Sequence, residues 1–264
     1  MTEDRRRAFA FADRLLRRLS TEVVPLAWGT AYLDTEFPLR WDSNLLWVRS
    51  AGAPSLDELL GTAERVLGGA GLAHRRCVIE DPVLAAQLGV GLMELGWRAE
   101  HAVLMVLRGQ PDRPRDTGLA SRLPYEQVRP LLEEITRRSP WASGEDEIQM
   151  LTDHRGKLER RGGATFYAAR LDGQLAGCCE LYVDGEDAQI ESVGTLEEHR
   201  NRGVGSAVVL AAAAAARDAG ATWIHLYADA DDWPQAWYHR LGFEDAGSVR
   251  SFTRMPAGAS TAGA

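Results

Sequence analysis

One segment constrains this chain more than any other: Glu191-Ser-Val-Gly-Thr-Leu-Glu-Glu-His-Arg-Asn-Arg-Gly-Val-Gly-Ser206. A strand-like run ends near Thr195. A short polar loop follows, and Arg200-x-x-Gly203-x-Gly205 then opens a helix that carries alanine at every position from 211 to 216. The first N–H groups of a helix have no internal partner, and the helix dipole places partial positive charge there. Glycines let the backbone approach an anion closely, and arginines add charge. The segment therefore reads as a strand–loop–helix anion site of the kind that suits a pyrophosphate. Taken alone, it is also what a tight turn at a helix start looks like. A dinucleotide fingerprint would need G-x-G-x-x-G and a later acidic residue, and a P-loop would need Gly-Lys-Ser/Thr. The chain has neither.

Two further features bear on the segment. Gly194 sits inside the strand-like run, where glycine marks a bulge or a close backbone approach. A bulged strand can splay from a parallel neighbour and leave backbone groups free for an amide-bearing ligand. Downstream lies a second block, Trp237-Tyr-His-Arg-Leu-Gly-Phe243, with Tyr238 on a predicted helix.

The stretch Gly109-Gln-Pro-Asp-Arg-Pro-Arg-Asp-Thr-Gly118 is the clearest linker. It divides the 264 residues into two domains, 1–112 and 113–264, with a small, polar tail at 256–264 expected to be disordered. In the second half the pattern predicts a strand at 119–123 and helices at 125–138 and 145–161. Strands at 165–171, 174–183 and 188–195 follow, with Asp172-Gly173 and Asp184-Gly185 as hairpin turns. A helix at 203–219, a strand at 223–228, a helix at 233–241 and a strand at 249–255 complete the order. The hairpins make the middle antiparallel, and the 195-helix-223 crossover implies a parallel pair. The expected fold class is α/β, a mixed sheet flanked by helices.

Together, Val193–Gly205 and Ala236–Phe243 resemble the acetyl-CoA motif and tyrosine block of the GNAT acyltransferase superfamily, over roughly residues 117–255. The resemblance implies that acetyl-CoA is the co-substrate, with no metal. Backbone groups around Val193, Gly194 and Thr195 would hold the pantetheine arm. Arg200, Asn201, Arg202, Gly203, Val204, Gly205 and Ser206 would hold the pyrophosphate, and Tyr238 would sit near the thioester sulfur. Family members often carry Asn seven residues before the tyrosine, where this chain has Asp231. The implied activity is N-acetylation of a primary amine on a small molecule or protein; the alternative is a non-catalytic acyl-CoA-binding or regulatory module.

An attacking amine must lose a proton, and a carboxylate can take it. Glu191 lies on the motif strand with the side-chain parity of Val193 and Thr195 and is the candidate base. Tyr238, with an ordinary pKa near 10 against about 8.5 for a thiol, starts protonated and is the candidate to protonate the departing thiolate or hold the thioester sulfur. His199 and His225 read as structural. Trp141, in the Ser139–Gly144 loop beside Glu145, Asp146 and Glu147, is the candidate acceptor contact by cation–π attraction. Those acids also fit plain helix N-terminal capping by Ser143 and the first turn.

The first half predicts a helix–strand–helix–strand run over 55–107 whose Leu95-Gly96-Trp97 echoes Leu241-Gly242-Phe243. It lacks an R-x-x-G-x-G before its 55–67 helix and lacks the tyrosine, so it reads as a degenerate GNAT-like unit without an acetyl-CoA site. Trp28, Trp41 and Trp47 read as core. So do Cys77, Cys178 and Cys179, which have neither disulfide nor metal-ligand spacing. A net charge of −8 argues against nucleic acid as the main partner. With no membrane-length apolar run and no signal-peptide pattern, the expected location is the cytoplasm.

Overall fold

Alternating turn signals and apolar runs resolve into seven helices and eleven strands in a computed structural model that describes residues 2–49, 52–139, 142 and 144–255. These fall into two units. Among the described residues, one takes the chain to Val103, Asp229–Asp231 and residues 247–255. The other takes Leu104–Ala228 and Asp232–Ala246. The division differs from a single cut at 112/113. The last strand begins at Phe243, earlier than the sequence indicates, and its second half pairs antiparallel with residues of the first unit, from Arg250↔Ile79 to Arg254↔Arg75. Pairing across so many residues of chain leaves no local mark in sequence. The predicted tail 256–264 lies outside the described residues.

In the N-terminal unit α1 (Glu3–Leu19) is capped by Thr2, and its Ala8, Phe11, Leu15 and Leu19 are buried at helical spacing. Residues 22–33 form a hairpin, β1 (Glu22–Leu26) and β2 (Gly29–Leu33). β3 (Leu45–Val48) is buried along its whole length because both its faces are covered. Leu46 and Val48 pack with Leu59 of α2 (Leu56–Ala63) and with Leu88 and Leu92 of α3 (Pro82–Glu94). Leu45 and Trp47 pack with Phe9 of α1. The strand order is β1-β2-β3-β4 with β4 at Arg75–Ile79, followed by β11 (Phe243–Arg254). Trp28 and Trp47 are core, their indole N–H groups donating to Glu58 (3.0 Å) and Glu80 (2.8 Å), whereas Trp41 is half-buried, its ring tilted against His74.

In the C-terminal unit the order is β10-β9-β8-β7-β6, from β10 (Trp223–Asp229), β9 (Asp187–Thr195), β8 (Gln174–Asp184), β7 (Thr165–Leu171) and β6 (Ala120–Leu123). Of the pairs among these five strands, β10/β9 is parallel and the others are antiparallel. α4 (Tyr125–Arg137) covers one face through Val128, Leu131 and Leu132 against Phe166 and Cys178. α5 (Glu145–Lys157) packs beside α4. α6 (Val204–Asp218) lies against β7, β8 and β9, with Ala207, Ala212, Ala213 and Ala216 fully buried. Cys178 and Cys179 point to opposite faces, Cys178 among the α4 residues and Cys179 toward the Val208 carbonyl of α6 (3.4 Å). No helix among the described residues is long and apolar enough to cross a membrane.

Both units close a helix with Leu-Gly before a strand. Gly96 after α3 and Gly242 after α7 (Pro234–Arg240) both take left-handed φ, +79° and +95°. A side chain is strained there, which explains the repeated glycine.

Candidate functional site

β9 and β10 pair only through Asp187↔Trp223, Ala188↔Ile224 and Gln189↔His225, although β9 continues to Thr195. The strands part from Ile190 onward, as a bulged motif strand requires. The bulge itself is not at Gly194. β8 and β9 pair at Glu180↔Glu191 and next at Cys178↔Gly194, so β9 has one residue too many. The left-handed residue is Ser192, φ 53°.

This extra residue corrects the parity argument. Paired residues of antiparallel strands project to one face. Glu191 therefore shares its face with Glu180, Cys178 and Gly194, the face covered by α4, and not with Val193 and Thr195. There Glu191 accepts a hydrogen bond from Gln189 Nε2, while Glu180 pairs with Arg155 and accepts from the Tyr182 hydroxyl at 2.7 Å.

The loop after β9 is built from backbone. Leu196 N–H donates to the Ala176 carbonyl (3.0 Å), and a short turn spans Glu197–His199. Asn201 (φ 60°) and Gly203 (φ 84°) are left-handed. Asn tolerates this conformation and Gly suffers no Cβ penalty in it. α6 then starts at Val204 with no side-chain cap on its N-terminus. Its first N–H groups are therefore available to an anion. Gly177, which the sequence reading passed over, makes room beneath. A β-carbon there would stand 2.6 Å from both the Gly194 carbonyl oxygen and Val204 Cγ1.

These pieces border one cleft of about 940 Å³. Its walls are Val193, Gly194 and Thr195 of β9, Arg200, Asn201 and Gly203 of the loop, and Val204, Gly205 and Ser206 of α6. Ile135, Arg138 and Ser139 close one side, and Trp233, Trp237, Tyr238 and Arg240 the other. Tyr238 is buried between Trp237 and Phe243, whose ring centroids lie 4.6 and 5.8 Å away. Burial, with a smaller contribution from the Cys179 thiol, pushes its pKa above the ordinary phenol value.

The cleft thus collects Tyr238 and nearly all of the predicted cofactor residues. Three predicted residues do not line it. Glu191 lies as described above, Arg202 pairs with Asp172 at 3.3 Å, and the Asp231 N–H donates to Asp229 (2.9 Å). Trp141 and Ser143 lie outside the described residues. The α5 N-cap position is Gly144, without a side-chain bond, and Glu145, Asp146 and Glu147 fill the first turn. Of the two histidines read as structural, His199 is half-buried and lines the cleft, whereas His225 is fully buried and bonded to the Ala188 carbonyl (2.9 Å). The linker residues Arg113 and Arg115 also line the cleft, a placement for which the sequence offers no signal.

Comparison with known proteins agrees with this layout. Residues 126–243 match the model of the acetyltransferase (GNAT) family. A mycothiol acetyltransferase from Clavibacter sepedonicus is 27% identical over 255 residues, covering 78% of this chain and 82% of that protein. Two solved structures share the fold. A GCN5-related N-acetyltransferase from Kribbella flavida has a TM-score of 0.63 at 17% identity, over 98% of this chain and 97% of that one. A tandem GNAT protein from the clavulanic acid biosynthesis pathway has a TM-score of 0.53 at 16% identity, over 76% of this chain and 70% of that one. The protein is an acyltransferase whose residues 126–243 form a domain of the acetyltransferase (GNAT) family.

Proposed function

We propose that this chain transfers an acetyl group from acetyl-CoA to a primary amine of a small molecule or protein by direct attack. One observation carries the reading: the uncapped start of α6, the unpaired edge of β9 and Tyr238 border a single cleft. Acetyl-CoA would supply the activated acyl group. The N–H groups of α6, with Arg200, suit its diphosphate, and the β9 backbone around Val193 and Thr195 suits the amides of its pantetheine arm. Tyr238 is then the hydroxyl beside the sulfur. Its raised pKa keeps it protonated, and it donates a hydrogen bond to the departing thiolate. Glu191, which does not itself line the cleft, is the candidate base through a water that links its carboxylate to the cleft.

The test has two arms. Calorimetry should show acetyl-CoA binding to the wild-type chain and none to folded Gly203→Asp, which sets a negative charge beside the α6 N-terminus. CoA release should then be followed over a panel of amines, beginning with the acceptor of the mycothiol acetyltransferase relative. Unchanged affinity in Gly203→Asp would remove the cofactor assignment, and binding without turnover on any amine would remove the reaction.

A further inference from the structure

The linker predicted between the two halves is folded onto the C-terminal unit. The N–H groups of Arg108 and Gly109 both donate to the Gly242 carbonyl (3.1 and 2.9 Å), and Asp112 N–H donates to the Arg240 carbonyl (2.9 Å). Gly109 and Gly242 approach so closely that a β-carbon on Gly242 would stand 2.7 Å from the Gly109 carbonyl carbon. This docking brings Arg113 and Arg115 to the cleft, on the side of Trp237 and Arg240.

The charge there is unbalanced. Arg138, across the cleft, is paired with Glu134 and Glu198. Arg113, Arg200 and Arg240 have no carboxylate partner among the described residues. Arg115 holds Asp112 through Nη2 at 2.6 Å, yet its Nε is buried without a hydrogen-bond partner among the described residues. A chain with net charge −8 has ample acid to pair its arginines. Leaving several unpaired around one cleft fits an anionic ligand with more than one charged group. The α6 start and Arg200 account for a diphosphate. Arg113, Arg115 and Arg240 remain, with the two linker arginines held near Arg240 by the Asp112 N–H bond to its carbonyl.

We propose that Arg113, Arg115 and Arg240 form a subsite for the 3′-phosphate of coenzyme A. The subsite lies partly outside the 126–243 family domain, in the linker itself. It rests on the acetyl-CoA reading above and adds specificity to it, because it distinguishes coenzyme A from 3′-dephospho-coenzyme A.

The experiment measures both ligands by calorimetry on the full chain, wild type and Arg113→Ala/Arg115→Ala, after a thermal melt shows both folded. The wild type should prefer CoA over dephospho-CoA by about tenfold or more, the scale of hydrogen bonds to a charged group. The double variant should bind both with the dephospho-CoA affinity, which itself stays at the wild-type value. Arg240→Ala should lower the preference partway. A double variant that keeps the wild-type preference overturns the subsite while leaving the cofactor reading intact. Wild-type protein that binds neither ligand overturns the cofactor reading and the subsite with it.

Discussion

Gly205 and Trp237 meet so closely that a β-carbon on the glycine would stand 3.2 Å from Trp237 Cζ2 and 3.3 Å from Cη2. The indole N–H reaches back to Ser206 Oγ at 3.4 Å. α6 and α7 are therefore held together at the point where one offers its N–H groups and the other carries Tyr238. Gly205→Val should push α7 away. Overpacking costs about 1–3 kcal/mol. If that cost falls on the bound geometry, acetyl-CoA affinity drops by about 5- to 150-fold. Calorimetry on a variant with near-native melting checks this, and unchanged affinity would mean that the contact is only packing.

What the sequence made legible follows from where local chemistry dictates conformation. The Arg200–Ser206 loop was readable because its turns demand glycine or asparagine, and Asn201 and Gly203 are indeed the left-handed residues. The bulge was foreseen but misplaced. Glycine is the usual left-handed residue of a strand, and here Ser192 takes that place. The misplacement changed the facing of Glu191, since one extra residue reverses the parity of everything beyond it. The docking of Arg113 was not readable at all. It depends on the Gly242 carbonyl accepting from the N–H groups of Arg108 and Gly109, and neither periodicity nor composition encodes such bonds.

The chain should bind one acetyl-CoA. In the N-terminal unit the parallel pair β3/β4 stays zipped to the end of β3, through Leu46↔Cys77, Trp47↔Val78 and Val48↔Ile79. Glu80 N–H then takes the Val48 carbonyl at 3.0 Å. The following helix, α2, has its N-terminus capped by Ser55, whose hydroxyl accepts from Glu58 N–H at 3.2 Å. Among the described residues, neither the gap nor the open helix start of the other unit is present. Calorimetric stoichiometry should be one per chain; two would place a second site here.

Stability should fall in mild acid because of His74. Its Nε2 lies 2.9 Å from the Asn44 carbonyl, and its Nδ1 is buried with no hydrogen-bond partner among the described residues. Burial, reinforced by nearby Arg76 and Arg75, pushes its pKa down from 6.5 to about 4. The folded pKa lies below the unfolded one, so the unfolded chain binds the proton first as pH falls. The contribution is fully present above about 6.5 and is lost progressively toward pH 4. At roughly 1.36 kcal/mol per unit, the loss is on the order of 3 kcal/mol. Denaturant melts of wild type and His74→Gln between pH 7 and 4 check it. The variant should be the flatter of the two, and equal slopes would remove His74 as the cause.

Glu191→Gln separates base from scaffold. The amide keeps the size and can still bond Gln189, so the fold should hold. A general base contributes roughly 10²–10⁴ in rate. The variant should lose that factor in kcat/KM and also lose the acidic limb of its pH profile. A wild-type profile in Glu191→Gln would remove the carboxylate as the base, and His199, which does line the cleft, would be the next group to test.

Tyr238→Phe tests how the thiolate leaves. The ring contacts with Trp237 and Phe243 survive the substitution, so packing and acetyl-CoA affinity should be near wild type. An ordinary phenol, with pKa near 10, is already a weaker acid than a thiol near 8.5. Burial and the neighbouring Cys179 raise the Tyr238 value further, which makes complete proton transfer to the thiolate uphill. The hydroxyl is suited instead to donate a hydrogen bond to charge as it develops on sulfur. Such a bond is worth about 1.5–3 kcal/mol, or roughly 10- to 150-fold in kcat. The KM for acetyl-CoA should move much less, because the interaction strengthens toward the transition state. A loss near 10⁴ would indicate full general-acid transfer. Wild-type kcat, measured where chemistry limits the rate, would leave Tyr238 as a packing residue between α7 and β11.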